Sequence, residues 1–308
     1  MQLDKTSIII SERTITDLSD LSLIVMRHYA GPVFRFGLLG AIPFALMNLI
    51  LTWPLMQYDQ LAMSATTITS SEVYRIRYYC IMIGAVFLQA PLAMCFVTYF
   101  IGQAVFFERQ SWRQVVNAVL ARAVPVITIL GVLRLGLLSY IPLAIMFVDP
   151  QFRPEIELTI YLFGMFLVSY CVRAFRPFAP EILVLEKSPL RRKKVPFEQQ
   201  SFRQRSNWLH ATQYNDTFGS HVLCTIIAVA TVLSMCFGCI FLSGVLFGAW
   251  DWAFWMDLIA FPLVLWCVAT WMTVMRFLFY MNSRIRTEGW EIELRLKAES
   301  ERLKEVLA

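Results

Sequence analysis

Apolar positions along this chain come in blocks, not in the one-in-two or one-in-four stripes of a soluble domain. Runs long enough to cross about 30 Å of hydrocarbon at about 1.5 Å per helical residue fall at 33–56, 78–106, 124–147, 158–178, 222–247 and 252–280. The pattern predicts an all-α polytopic membrane protein whose six transmembrane helices occupy residues 33–280. About thirty polar and amphipathic residues precede the first block, and no small-residue cleavage site follows a short apolar core. It is therefore expected to stay as an anchor.

The polar segments carry weaker patterns. In residues 1–32, Ile15, Leu18, Leu21, Ile24 and Val25 recur at helical spacing with Asp17 and Asp20 on another face. This predicts an interfacial helix on the inner leaflet, ended by Gly31 and Pro32. Trp112, Val115, Val116, Val119 and Leu120 repeat that pattern beside Arg109, Arg113 and Arg122. The longest polar stretch is the loop 179–221, which reads as having little to build a core from. In residues 281–308 the stretch Trp290–Leu296 alternates like a strand, yet Ile292, Leu296, Leu303 and Leu307 are helically spaced and no second strand is at hand. A C-terminal cytoplasmic helix is expected, with Trp290, Ile292, Leu296, Leu303 and Leu307 facing a protein partner or the cytoplasmic loops.

Composition agrees with the blocks and adds a direction. Hydrophobic residues make up 58% of the 308 and charged residues 16%, with a mean hydropathy of +0.59. Soluble domains carry about 25% charge, so a secreted, nucleic-acid-binding or disulfide-stapled protein is excluded. The net charge of +5 matters less than where it lies. With six spans, nearly all Lys and Arg fall on the side of the two termini, and only Arg75, Arg77 and Arg153 fall opposite. The positive-inside rule then puts both termini in the cytoplasm, with the protein expected in a cytoplasmic (inner) membrane. Trp53, Trp250, Trp252 and Trp255 lie where the outer aromatic belt would be.

Little here reads as chemistry. The seven cysteines lie in or beside spans, and Cys236-Phe237-Gly238-Cys239 has redox spacing but no outer-loop pair to exchange with. Packing is the expected role of these thiols. His28, His210 and His221 stand without ligand-spaced partners, and no phosphate-binding loop, zincin or nucleophile-elbow motif occurs. No enzyme activity, cofactor or metal is expected. Arg134 is the most informative residue, because an ionised Arg mid-span is costly unless paired or hydrated. Asp257, an acid well inside a span, is offset from it by roughly 13 Å along the membrane normal. Arg134 is thus read either as held by internal hydroxyls and carbonyls or as part of a pathway. Arg191, Arg192, Lys193 and Lys194 are expected to contact anionic lipid headgroups, each charge worth about 1 kcal/mol. Pro43, Pro91, Pro142 and Pro262 are expected to kink their spans.

Two stretches are similar to known sequences. Pro180-Glu181-Ile182-Leu183-Val184-Leu185-Glu186-Lys187-Ser188-Pro189-Leu190 resembles a motif of six-span bacterial membrane proteins related to the membrane domain of glycerophosphoryl diester phosphodiesterases. Arg276-Phe277-Leu278-Phe279-Tyr280, with Arg284-Ile285-Arg286-Thr287-Glu288-Gly289-Trp290-Glu291, resembles the tail of that group. The segment from Gly102 into the third block fits its first half. The resemblance implies the six-span fold but not the phosphodiesterase reaction, which belongs to a separate barrel domain that this chain has no room for. Two functions are expected: a non-enzymatic subunit or scaffold of a membrane assembly, with membrane lipids and a cytoplasmic protein as partners and no nucleic acid; or a small-molecule or lipid transporter with Arg134 in its path.

Overall fold

The computed structural model describes residues 13–64, 68–105, 111–148, 160–190, 200–211 and 214–289. Among these the secondary structure is helical throughout, with no strand. In chain order the helices are α1 (Ile15–Ser64), α2 (Ile68–Ala93), α3 (Cys95–Ala104), α4 (Trp112–Leu120), α5 (Ala123–Val126), α6 (Tyr140–Val148), α7 (Val168–Phe175), α8 (Ala179–Val184), α9 (Phe202–Ala211), α10 (Tyr214–Phe247) and α11 (Phe261–Glu288). Short π-helical stretches extend α5 over Ile127–Leu133 and lead into α7 and α11 over Ile160–Leu167 and Met256–Ala260. Four helical segments, Ile15–Gln57, Tyr74–Ala93, Asp216–Phe247 and Met256–Glu288, are long and apolar enough to cross a membrane. Trp112–Leu120 with Ala123–Leu133, bent by 63°, makes a fifth if counted as one span.

Three expectations need correction. The N-terminal helix does not stop at Gly31 and Pro32; it bends at Tyr29 (φ −109°, ψ 20°) and continues into the first apolar block. The bend removes the clash that Pro32 would impose on a straight helix, since a proline is tolerated in a first turn, where no N–H is needed. The block 124–147 is not one helix. It opens after Leu133 and resumes at Tyr140, with Leu135 left-handed at φ 63°. Gly136 makes that opening possible, because a Cβ there would lie 2.6 Å from the Leu130 carbonyl oxygen and 3.2 Å from that of Leu88. The loop 179–221, finally, is not coreless, since every residue of α8 is buried.

Helix α1 packs chiefly on α2 and α11, and α11 also contacts α2, α3 and α10. The tightest approach is at Gly40, where a Cβ would sit 1.9 Å from the Ala93 carbonyl oxygen. Polar side chains hold the same interface together. Asn48 and Gln89, both fully buried, exchange amide hydrogen bonds of 2.8 and 3.0 Å between α1 and α2. Gln89 also donates to Ser139 Oγ at 3.2 Å, and Ser139 donates to the Gly136 carbonyl at 2.7 Å. The opening between α5 and α6 is thus tied to the helix pair beside it. In hydrocarbon such contacts are worth about 0.6 kcal/mol each, up to about 1.7. Helix α11 ends on Gly289 (φ 68°), whose N–H returns to the Ile285 carbonyl, as a left-handed C-terminal cap requires. By contrast, α10 touches mainly α7 and α11 and leaves a broad exposed apolar face.

Gly40→Ala is expected to lower thermal stability in detergent by about 1–3 kcal/mol, because backbone has to move. Gly31→Ala, where nothing lies within 4 Å of the added Cβ, is expected to leave stability unchanged or raise it slightly. Melting curves of the two variants beside the parent protein check both, and equal losses would contradict the α1–α2 packing.

Candidate functional site

A proline starts the site. Pro91 in α2 has no N–H, so the carbonyl of Phe87, four residues earlier, loses its helical partner. Arg173 of α7 supplies the replacement, donating through Nη1 to the Phe87 carbonyl and through Nη2 to that of Leu88 at 2.8 Å. Its guanidinium also lies over the Phe87 ring, 4.3 Å from the centroid. Arg134, at the point where the helix after α5 opens, donates through Nη2 to the carbonyl of Arg176 at the end of α7, and its own carbonyl accepts from Ser169 Oγ at 3.4 Å. Arg276 of α11 pairs through Nε with Glu181 Oε1 at 2.7 Å, and Glu181 is fully buried. Three arginines on three elements therefore lie within electrostatic reach of one another, with His221 near all three.

The three arginines and His221 line one side of a cavity of about 1180 Å³ between α10 and the body formed by α2, α7 and α11. Its remaining wall is mainly apolar, running past Val86, Phe166, Leu265 and Val268 to Trp252. Val229, Leu233 and Phe237, one stripe of α10, line it and are themselves 54%, 54% and 68% exposed. The cavity thus opens sideways to whatever surrounds the helices. On side chains that line the cavity, Ser283 Oγ, Arg173 Nε and His221 Nε2 are buried with no partner among the described residues.

A second polar cluster lies beside it. Arg205 of α9 grips Glu186 at 2.6 and 2.7 Å and also reaches Glu288, while Arg284 holds Glu288 at 2.7 and 3.0 Å. Tyr280 donates to Glu186 at 2.6 Å. The two carboxylates raise the Arg205 guanidinium against the desolvation that would lower it. Two arginines and two glutamates cancel, so this knot fastens the segment after α8 and helix α9 to the end of α11 without excess charge. Within α9, His210 is buried against Phe178, with its Nδ1 donating to the Ser206 carbonyl at 2.6 Å. Burial, assisted by Arg134 and Arg176, lowers its pKa to about 4.

Of the residues singled out in the sequence, Arg134 lines the cavity and Asp257 does not pair with it. Asp257 Oδ1 accepts from Tyr79 Oη at 2.7 Å and from Trp252 Nε1 at 2.6 Å, and its carbonyl accepts from Tyr78 Oη at 2.6 Å. Cys236 lines the cavity as a free thiol, and Cys239 is free as well. Arg191, Arg192, Lys193 and Lys194, and Trp290, Ile292, Leu296, Leu303 and Leu307, lie outside the described residues. Sequence reasoning missed Arg173, Arg276 and Glu181 because each stands at the edge of an apolar block and reads as a cytoplasmic charge. Pro91 was a usable signal, since a freed carbonyl in a span needs a donor. No group of three or more metal-ligating side chains occurs among the described residues. Compared with protein-family models, with curated proteins and with solved structures, the chain finds no match.

Removing Glu181 leaves the part-buried Arg276 uncompensated, so Glu181→Gln is expected to cost about 3 kcal/mol, the low end for a buried pair. The double change Glu181→Met with Arg276→Met should recover most of that loss. A double-mutant cycle of thermal unfolding checks it, and additive losses would contradict a direct pair. His210 gives a pH test of opposite character. Its folded-state pKa is depressed from 6.5 to about 4, so its contribution is complete above pH 6.5 and is lost as pH falls towards 4. His210→Gln is expected to flatten the stability profile over that window, and an unchanged slope would place the acid sensitivity elsewhere.

Proposed function

We propose that this chain is a membrane protein that takes an amphipathic component of the bilayer into the cavity beside α10 and moves or presents it, with Arg134 at the polar end. The supporting observation is the cavity itself. At about 1180 Å³ it exceeds the roughly 300–1,000 Å³ of pockets for drug-sized ligands, it is walled mainly by apolar side chains, and three arginines stand together at its polar part. Space open along a helix face and charged in one place suits a molecule with a long apolar body and a polar head.

The reading includes finer points of topology. We take the chain to have six spans, counting the opened segment through Arg134 and the segment 158–178 as crossings, with both termini in the cytoplasm of an inner membrane, as the distribution of Lys and Arg and the resemblance to the six-span group suggest. An opened helix beside a cavity is the arrangement transporters use to build sites at membrane depth. The scaffold reading rests on polar features gathered on the cytoplasmic side with no site visible in the sequence, and the cavity supplies the reason to prefer a binding role. No catalytic step is part of the proposal.

The test is purification in a mild detergent followed by native mass spectrometry, with a cavity-filling variant, Val232→Trp combined with Ala269→Trp, alongside. The parent protein is expected to retain a bilayer lipid that the filled variant lacks, and reconstituted vesicles should lose at least tenfold of the movement of a fluorescent lipid on filling. A parent protein free of lipid, with lipid movement untouched by filling, would overturn the reading.

A further inference from the structure

The polar part of the cavity is unbalanced in charge. Arg134, Arg173 and Arg276 bring three positive charges, and Glu181 cancels one. No other carboxylate among the described residues serves them. Asp257 is engaged by Tyr79 and Trp252, Asp216 is an exposed partner of Arg286, and Glu186 and Glu288 are consumed in the neutral knot with Arg205 and Arg284. Two positive charges thus stay inside an apolar environment, where an uncompensated ion costs several kcal/mol. Neutralising the arginines by proton loss is not available, because a guanidinium keeps its charge in proteins.

Three polar atoms on side chains lining the same cavity have no partner within the described structure. Arg173 Nε and Ser283 Oγ, each on a side chain more than nine-tenths buried, line the cavity unpaired, as does His221 Nε2. A group that satisfies all of this carries close to two negative charges and several acceptor oxygens, in reach of more than one arginine. A carboxylate brings one charge and two oxygens. A phosphodiester brings one charge. A phosphomonoester brings about −1.5 to −2 and three terminal oxygens, and arginine forks match them in pairs.

We infer that the ligand of this cavity is a lipid with a phosphomonoester headgroup, seated on Arg134, Arg173 and Arg276 with its chains along α10. Its occupant is a bilayer molecule and not free phosphate, because the wall that continues from the arginines is apolar and opens beside Val229, Leu233 and Phe237. This inference rests on the amphiphile-binding reading above and adds the chemistry of the head.

The experiment titrates the full-length protein, freed of endogenous lipid in detergent, with four probes sharing oleoyl chains: phosphatidic acid, phosphatidylglycerol, oleic acid and diolein. Phosphatidic acid is expected to bind at least tenfold more tightly than either other anion, and diolein most weakly. Arg134→Gln should reduce phosphatidic acid affinity at least tenfold and leave diolein unchanged. If that variant fails to fold, Ser283→Ala replaces it, with an expected loss of about threefold confined to phosphatidic acid. Equal affinity for the three anions, or for phosphatidic acid and diolein, would overturn the headgroup assignment while the cavity reading stands. Failure of all four probes to bind would overturn the cavity reading itself. Inorganic phosphate that displaces phosphatidic acid at equal concentration would make the ligand a free anion and overturn the lipid.

Discussion

Backbone groups released by a broken helix in an apolar medium must find a donor or acceptor nearby, and this molecule meets that constraint with arginine. The Phe87 carbonyl, freed by Pro91, is held by Arg173, and the carbonyl of Arg176 at the end of α7 is held by Arg134. Each arginine thereby locks one helix to another: α7 to α2, and the opened segment to α7. The same side chains bring fixed charge into the interior. A structural solution for stray carbonyls has thus created an electrostatic field in an otherwise oily space, and the cavity beside α10 inherits it.

The apolar blocks made the helical elements legible, because six runs of suitable length leave few other folds. Their interruptions were less so. A hydropathy window spanning Leu133 to Tyr140 sees four leucines and one glycine, and cannot register that Leu135 turns left-handed and that Gly136 lies on the Leu130 carbonyl. Averaging also hid α8. Six buried residues, Ala179 to Val184, sit at the head of a strongly polar loop, and the loop's composition masked them. The separation of Arg134 from Asp257 was readable from axial distance, since rise per residue is a fixed quantity. Arg173 and Arg276 were not readable as site residues, because a charge at the end of a span looks alike whether it faces water or a neighbouring helix.

The two stretches that carried the family resemblance meet in space. Glu181 pairs with Arg276, and Glu186 is shared by Arg205, Tyr280 and Arg284. Residues nearly a hundred positions apart act as one unit, in which acids from the segment around α8 answer bases from α11. One half of the unit is buried and supports the cavity's edge. The other is partly open and self-neutralised, so it fastens helices without competing for an anion.

Helix α1 runs fifty residues, which at about 1.5 Å each is roughly 75 Å of helix, more than twice the hydrocarbon thickness. Its first part is held to the far end of the chain, with Trp271 donating to Ser22 and the Arg13 N–H donating to Asn282. Bending at Tyr29 lets one rod follow two directions. The part before the bend is docked on α11 through Ser22, while the part after it packs along α2 through Gly40 and Asn48. A single bend thus lets one helix serve as the common support of α2 and α11.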